Sequence, residues 1–180
     1  EWEKEAGKRG LLNLKNTVDA LVPLKSKEVV DLFEKYKVLN GRELHARYEI
    51  LVEQYNKAVN IEGQLMVLMA NRYILPAALE YQRQVAASVA AVKQAGGKSV
   101  EGKKTLDKLT KTVDSFKQRA DKLEHTLAHE GSSAEKHAKH FRDVVRPAME
   151  TLRESGDTLE LMLPHTQWPL ATYREMLFIK

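Results

Sequence analysis

Hydrophobic side chains recur at steps of three and four residues along most of this chain, the spacing of one face of an α-helix, and alternation with a period of two is almost absent. The longest such stretch runs from Arg42 to Ala95 without an internal loop signal and predicts one helix over about 42–95. An ordinary globular helix is ~10–14 residues long, so a pattern this extended belongs to a coiled coil, a bundle spine or an arm docked on something larger. Leu44, Tyr48, Leu51, Tyr55, Ala58, Leu65, Met69 and Leu79 give it one apolar face. From Leu65 to Ala70 (LMVLMA) it is apolar all round, and a helix of that kind is normally covered on more than one side. A lone antiparallel hairpin would cover only one. Pro76 lacks the N–H that would bond the Arg72 carbonyl and its ring crowds that carbonyl, which predicts a kink near 72–76. Gly96-Gly97 ends the helix.

The second long element, about 100–130, carries the clearest periodicity: Leu106, Leu109, Val113, Phe116, Ala120, Leu123 and Leu127 form a heptad seam. Gly131-Ser132-Ser133 closes it, and Ser132 with Glu135 has the spacing of a capping box, so a third helix is expected over 133–163. So short a loop makes the two helices antiparallel neighbours. The third helix turns Ala138, Phe141, Val145, Ala148, Leu152, Leu159 and Met162 to one side, with a second kink at Pro147, a weak point at Gly156 and a stop at Pro164. Before the long helix, residues 1–41 read as an arm with a short helical start at Trp2–Lys8, breakers at Gly10 and Pro23, and a helix capped by Ser26 that faces Val29, Val30, Phe33 and Tyr36 inward. The closing residues 164–180 read as an extended tail whose Trp168, Tyr173, Leu177, Phe178 and Ile179 imply a docking surface. The fold class is therefore all-α: an antiparallel three-helix bundle over 42–163 with one very long helix and a heptad-patterned hairpin, flanked by the arm and the tail. The whole is expected to be one domain of a larger protein.

Composition narrows what such a bundle does. No cysteine is present, which removes disulfide and thiolate chemistry and fits a reducing, cytoplasmic location. No run of ~18–20 apolar residues occurs, so no membrane span is expected. The N-terminal EWEKEAGKRG has neither an initiator Met nor the apolar stretch of a signal peptide and reads as the interior of a longer chain. The 29 basic and 25 acidic residues nearly balance. The lysine-rich stretch from Lys93 to Lys122 is interleaved with Asp107, Asp114 and Asp121, so it reads as a solvated helix face, with no nucleic-acid partner expected.

Candidate chemistry is thin. His125 and His129 are four apart, as ligands on one helix would be, and His137 and His140 follow across the turn. With Leu123 and Leu127 on the seam, however, His125 falls outward and His129 near it, and HEGSS does not match H-E-x-x-H. AGGKS at Ala95–Ser99 resembles the end of a phosphate-binding loop, but the first glycine of that motif would fall at Val92 and the segment follows a helix. Glu62, with Asn60, is the polar group expected to be partly buried, as a hydrogen-bonded structural carboxylate. No catalytic, cofactor-binding or metal-ligating residue is expected. Leu65, Met66, Leu68, Met69, Trp168, Tyr173, Leu177 and Phe178 are the interface candidates.

The segment RELHARYEILVEQYNKAVNIEGQLMVLMANRYILPAALEYQ (Arg42–Gln82) resembles the C-terminal region of type III glutamine synthetases. The likeness lies in R-E-L-x-x-R-Y-E at Arg42–Glu49, N-I-E at Asn60–Glu62 and I-L-P-A-A at Ile74–Ala78. WEKEAGKRGLLNLKNTVDAL at the start is similar to that family's linker out of its catalytic domain, and W-P-x-x-T-Y at Trp168–Tyr173 with Leu177-Phe178 to its last residues. Ala46 stands where Ser is usual, Leu12 and Ala171 where Pro is often found, and Gly63 where Ala is usual; Gly63 should loosen the helix by roughly 1 kcal/mol relative to Ala. The resemblance implies a parent enzyme that makes glutamine from glutamate, ammonia and ATP with divalent metal such as Mg, its catalytic groups lying upstream of this segment. It implies a structural role here: packing on the catalytic domain of the same chain and on neighbouring subunits of a homo-oligomer. The alternative from the residues alone is a free-standing coiled-coil adaptor that binds other helices through the Leu106–Leu127 seam.

Overall fold

The computed structural model describes residues 1–128 and 133–177, with Tyr173 and Arg174 described by backbone only. It is 80% helical, and no strand occurs among the described residues. The chain divides into two compact units, residues 1–60 with 130–143 and residues 61–129 with 144–180.

In the first unit, α1 (Trp2–Lys8) ends at Gly10, whose φ of 75° only glycine adopts freely. Then α2 (Thr17–Leu21) opens on Asn16, whose side chain accepts the Asp19 N–H at 2.9 Å. A 3₁₀ turn follows over Val22–Lys25. Pro23, expected to break structure, instead sits in the first turn of that 3₁₀ segment, where its missing N–H has no partner to lose. Ser26 caps α3 (Lys27–Lys35) as predicted, accepting from Val29 N. Val29, Val30 and Phe33 are partly covered, but Tyr36 is 66% exposed and lies outside the face assigned to it.

The long helix forms as α4 (Gly41–Met69), a π-helical turn at Ala70–Ile74 and α5 (Leu75–Gln94), together 54 residues. Asn40 and Glu43 start it with a reciprocal capping box, Asn40 Oδ1 accepting from Glu43 N at 3.0 Å and Glu43 accepting from Asn40 N at 2.8 Å. In the first unit its buried residues are Leu44, Tyr48, Val52, Asn56 and Val59. Leu51 and Ala58, read from the sequence as part of the core face, are exposed. Val52 and Asn56 continue the four-residue step from Tyr48, and that register prevails. Val18, Tyr48, Val52 and Ala138 make a small core, with Leu21, Leu24 and Tyr55 against it. The predicted capping serine, Ser132, lies outside the described residues; Ser133 caps α7 (Ala134–His140), its hydroxyl accepting from Lys136 N at 3.3 Å.

In the second unit, α6 (Val100–Leu127) is the central element. Leu109, Val113, Phe116, Ala120 and Leu123 are buried along the predicted seam. Against it lie the α5 side and α8 (Arg146–Glu160), which follows a second π-helical turn at Phe141–Val145. Gln82 donates to Thr110 at 2.7 Å and Gly63 lies beside Leu127, so positions on the long helix fall as those on α6 rise. Arg119 donates to the Thr151 carbonyl at 2.6 Å and Phe116 lies over Gly156, giving the same antiparallel sense to α6 and α8. The long helix turns small residues inward here, namely Gly63, Ala70 and Ala78 with Ile74. Absent or short side chains let two helices approach closely, so Gly63, which weakens an isolated helix, makes room for the Leu127 side chain. Gly156 is also buried, under the Phe116 ring, but a methyl group there would meet that ring at 3.6 Å, an ordinary contact.

Both prolines expected to kink helices stand at the same offset from a π-helical turn: Pro76 two residues after Ile74, and Pro147 two after Val145. At the first, Leu75 N–H bonds the Ala70 carbonyl, five residues back. The widened turn moves the preceding carbonyls off the i–4 ladder that the pyrrolidine ring would otherwise crowd.

Candidate interaction surface

The side of the long helix away from its buried small residues carries an exposed apolar stripe. Ile61 (64% exposed), Leu65 (52%) and Leu68 (40%) are spaced by four and three residues and so share one side of α4. Tyr73, 48% exposed, joins them because the π turn inserts an extra residue in the intervening turn. In an uninterrupted α-helix the five-residue step from Leu68 would carry Tyr73 well round toward the buried side. The expectation that Leu65–Ala70 is covered on more than one side is thus not met by this chain: only Ala70 is fully buried, and Leu65 and Leu68 face outward.

Met66 and Met69 lie between the two sides, half-buried. They line a cavity of about 350 Å³ in the second unit together with Ile74, Phe116, Leu152 and Trp168. Trp168 and Leu170 therefore fold back onto their own unit. The tail is not extended throughout, since α9 forms over Tyr173–Leu177 behind a capping box in which Glu175 accepts from Thr172 N at 2.8 Å. That backbone N–H and the Thr172 hydroxyl hold the Glu175 carboxyl below the usual range. Leu177 is 72% exposed; Phe178 and the side chain of Tyr173 lie outside the described residues.

The first unit is tied by charge. Lys25 donates to Glu135 at 2.7 Å, Lys139 donates to the same carboxylate at 3.1 Å, and Arg142 pairs with Asp19 and Asp143. The Lys25 hydrogen bond, then that of Lys139, lowers Glu135 to about 2 from an ordinary 4.5. Asn56, buried on α4, donates to the Ala134 carbonyl at 2.9 Å. It takes the role expected of Glu62, which is exposed, while Asn60 is half-buried. A polar residue at a three- and four-residue step from Tyr48, Val52 and Val59 is the signal that points to Asn56.

His125 is exposed on α6, as the heptad predicts; His129 is outside the described residues; His137 stacks on Phe141 with ring centroids 4.5 Å apart, so it is packed and not simply solvated. Among the described residues no group of three or more His, Cys, Asp or Glu side chains is placed to hold a metal ion. No described helix is long and apolar enough to cross a membrane.

The sequence matches the family model described as glutamine synthetase C-terminal domain over residues 1–93, just over half of the chain. The chain belongs to that family. The matched region takes in the first unit's arm, the capping box at Asn40–Glu43, the exposed stripe and the first π turn. A second family model, the Pex19 protein family, matches residues 59–169. That span is the amphipathic helices, whose heptad spacing unrelated long helices share. Relatives that align from end to end decide between the two. Type-3 glutamine synthetase of Dictyostelium discoideum is 28% identical over 100% of this chain. Glutamine synthetases of Bacteroides fragilis (strain YCH46) and Butyrivibrio fibrisolvens are 27% and 31% identical over 100% and 99% of it. In each case the chain spans 26% of the relative's length.

Proposed function

We propose that this chain is the non-catalytic helical domain of a glutamine synthetase, a cytoplasmic enzyme that joins ammonia to glutamate at the expense of ATP. Its arm, helices and tail act as one domain. Its work is to pack on the catalytic part of the same protein and on neighbouring subunits of a homo-oligomer. The carrying observation is the stripe of Ile61, Leu65, Leu68 and Tyr73, exposed on the side of the long helix opposite its buried small residues. Large side chains exposed in a row on a helix mark a partner surface, whereas scattered ones need no explanation. Leu177 and the partly exposed Met66 and Met69 belong to the same reading, as do Trp168 at the cavity and Tyr173 and Phe178 in the tail. Among the described residues no group of three or more His, Cys, Asp or Glu side chains is placed to hold a metal ion. ATP and magnesium are assigned to the remainder of the enzyme, as the family resemblance implies, and no chemical step is assigned here.

The test uses the longer protein with its upstream region. Leu65→Glu with Leu68→Glu should reduce the assembled mass in light scattering and glutamine formation together, while the helical content of the chain is kept. Unchanged mass and activity in that variant would remove the interface reading.

A further inference from the structure

We propose that the cavity of about 350 Å³ in the second unit binds a compact arylalkyl amine, an apolar ring on a short chain that ends in one cationic nitrogen. Close packing leaves few voids larger than a water molecule inside a folded domain. Small-molecule sites, by contrast, are concave and mostly apolar spaces of ~300–1,000 Å³ with a few placed polar groups. The cavity has that form. Phe116 and Leu152, 1% and 2% exposed, make its base, and Met66 and Met69 of the long helix make one side. The tail closes another side with Trp168, half-buried, and with Met176, 54% exposed at the outer edge. Gly156 lines the α8 wall without a side chain to fill the space. All of these residues belong to the second unit.

The charge at the rim selects the ligand. Among the described residues, the ionisable side chains that line the cavity are Arg153, Asp157 and Glu160, all from α8. Arg153 donates to Asp157 at 2.6 Å, so these two neutralise each other. No ion pair to Glu160 forms among the described residues, which leaves the rim with one unbalanced negative charge. Glu160 is also the last residue of α8, the end at which the unbonded carbonyls of a helix favour a cation. A carboxylate ligand would meet like charge there, whereas an amine gains a charge-assisted hydrogen bond. Its ring would lie among methionine, phenylalanine and tryptophan side chains, whose contacts with an aromatic ring add to plain burial. Methionine is flexible as well as polarizable, so Met66, Met69 and Met176 can adjust to the outline of the ring.

Trp2→Phe leaves Trp168 as the sole tryptophan of the 180-residue chain, so its emission reports on the cavity directly. Trp2 is 68% exposed, and its replacement leaves the core untouched. Titration of this variant at neutral pH with phenylbutylamine, phenylbutanol and phenylbutanoate compares one apolar body with a cationic, a neutral and an anionic end. A saturable change in emission is expected, tightest for the amine and weakest for the carboxylate. Glu160→Gln should weaken the amine about 3–10-fold, the loss of one charge-assisted contact, and leave the alcohol within about twofold. Glu154→Gln removes the same charge from α8 outside the cavity and should leave all three within about twofold. Both glutamates are exposed, so circular dichroism should show each variant folded. Absent saturable binding, a carboxylate that binds as tightly as the amine, or equal weakening of the amine by the two glutamine variants would overturn the proposal.

Discussion

Gly156→Ala should stabilise the second unit, although glycine at a buried helix–helix contact is usually taken as indispensable. The residue lies inside α8, is buried, and has no left-handed backbone angle. A methyl group built there meets one neighbour within 4 Å, Phe116 Cε2 at 3.6 Å, which is ordinary van der Waals contact. The gain in helix propensity is about 1 kcal/mol. The added methyl borders the cavity lined by Phe116 and Leu152, so it buries only part of the ~0.8 kcal/mol expected of a fully enclosed carbon. A net stabilisation of about 1–1.5 kcal/mol follows, or a Tm rise of roughly 2–6 °C for a chain of this size. Urea unfolding followed by far-ultraviolet circular dichroism measures it. Gly156→Leu provides the contrast: the longer side chain must displace the Phe116 ring and should cost about 1–3 kcal/mol. A loss of 1 kcal/mol or more with Gly156→Ala would refute the reasoning, because it would mean that the helices need the bare backbone at this point.

Phe116, 1% exposed at the centre of the seam, should cost about 3–5 kcal/mol when replaced by Ala, read by the same unfolding assay. Ser133→Ala should cost about 1 kcal/mol through the lost cap of α7, while Ser132→Ala should change stability by less than half as much. The Glu135 carboxyl is depressed to about 2 in the folded chain, so its pairing with Lys25 and Lys139 contributes fully above pH 4.5 and is lost as the pH falls from there toward 2. Lys25 and Glu135 are about one-third exposed and Lys139 is half exposed, which limits the contribution to about 0.5–1 kcal/mol. Glu135→Gln should therefore be less stable than the native chain at neutral pH, and the difference should vanish at the acid end of that window.

The seam on α6 was legible in the sequence because each of its positions is a large apolar residue at heptad spacing. The inward face of the long helix was less so, for a physical reason. Where α4 and α5 approach α6, the buried residues are Gly63, Ala70, Ile74 and Ala78, of which all but Ile74 carry little hydrophobic signal, while Leu65, Leu68 and Leu79 carry much and point outward. Periodicity weighted by side-chain size selects the wrong face in a helix packed by small residues. The π turns were invisible to the pattern as such, although each lies just before a proline that marks the place. The α9 helix was hidden by its length, being five residues held by one capping box. The family was legible from short motifs in the long helix, and the matched span includes all of them.

The outward stripe is the claim on which the functional account stands, and light scattering of this chain alone tests it most directly. The native chain should self-associate and bind an apolar dye, and Leu65→Glu with Leu68→Glu should return it to a monomer without a change in helical content. A native chain that is a monodisperse monomer and binds no dye would contradict the account.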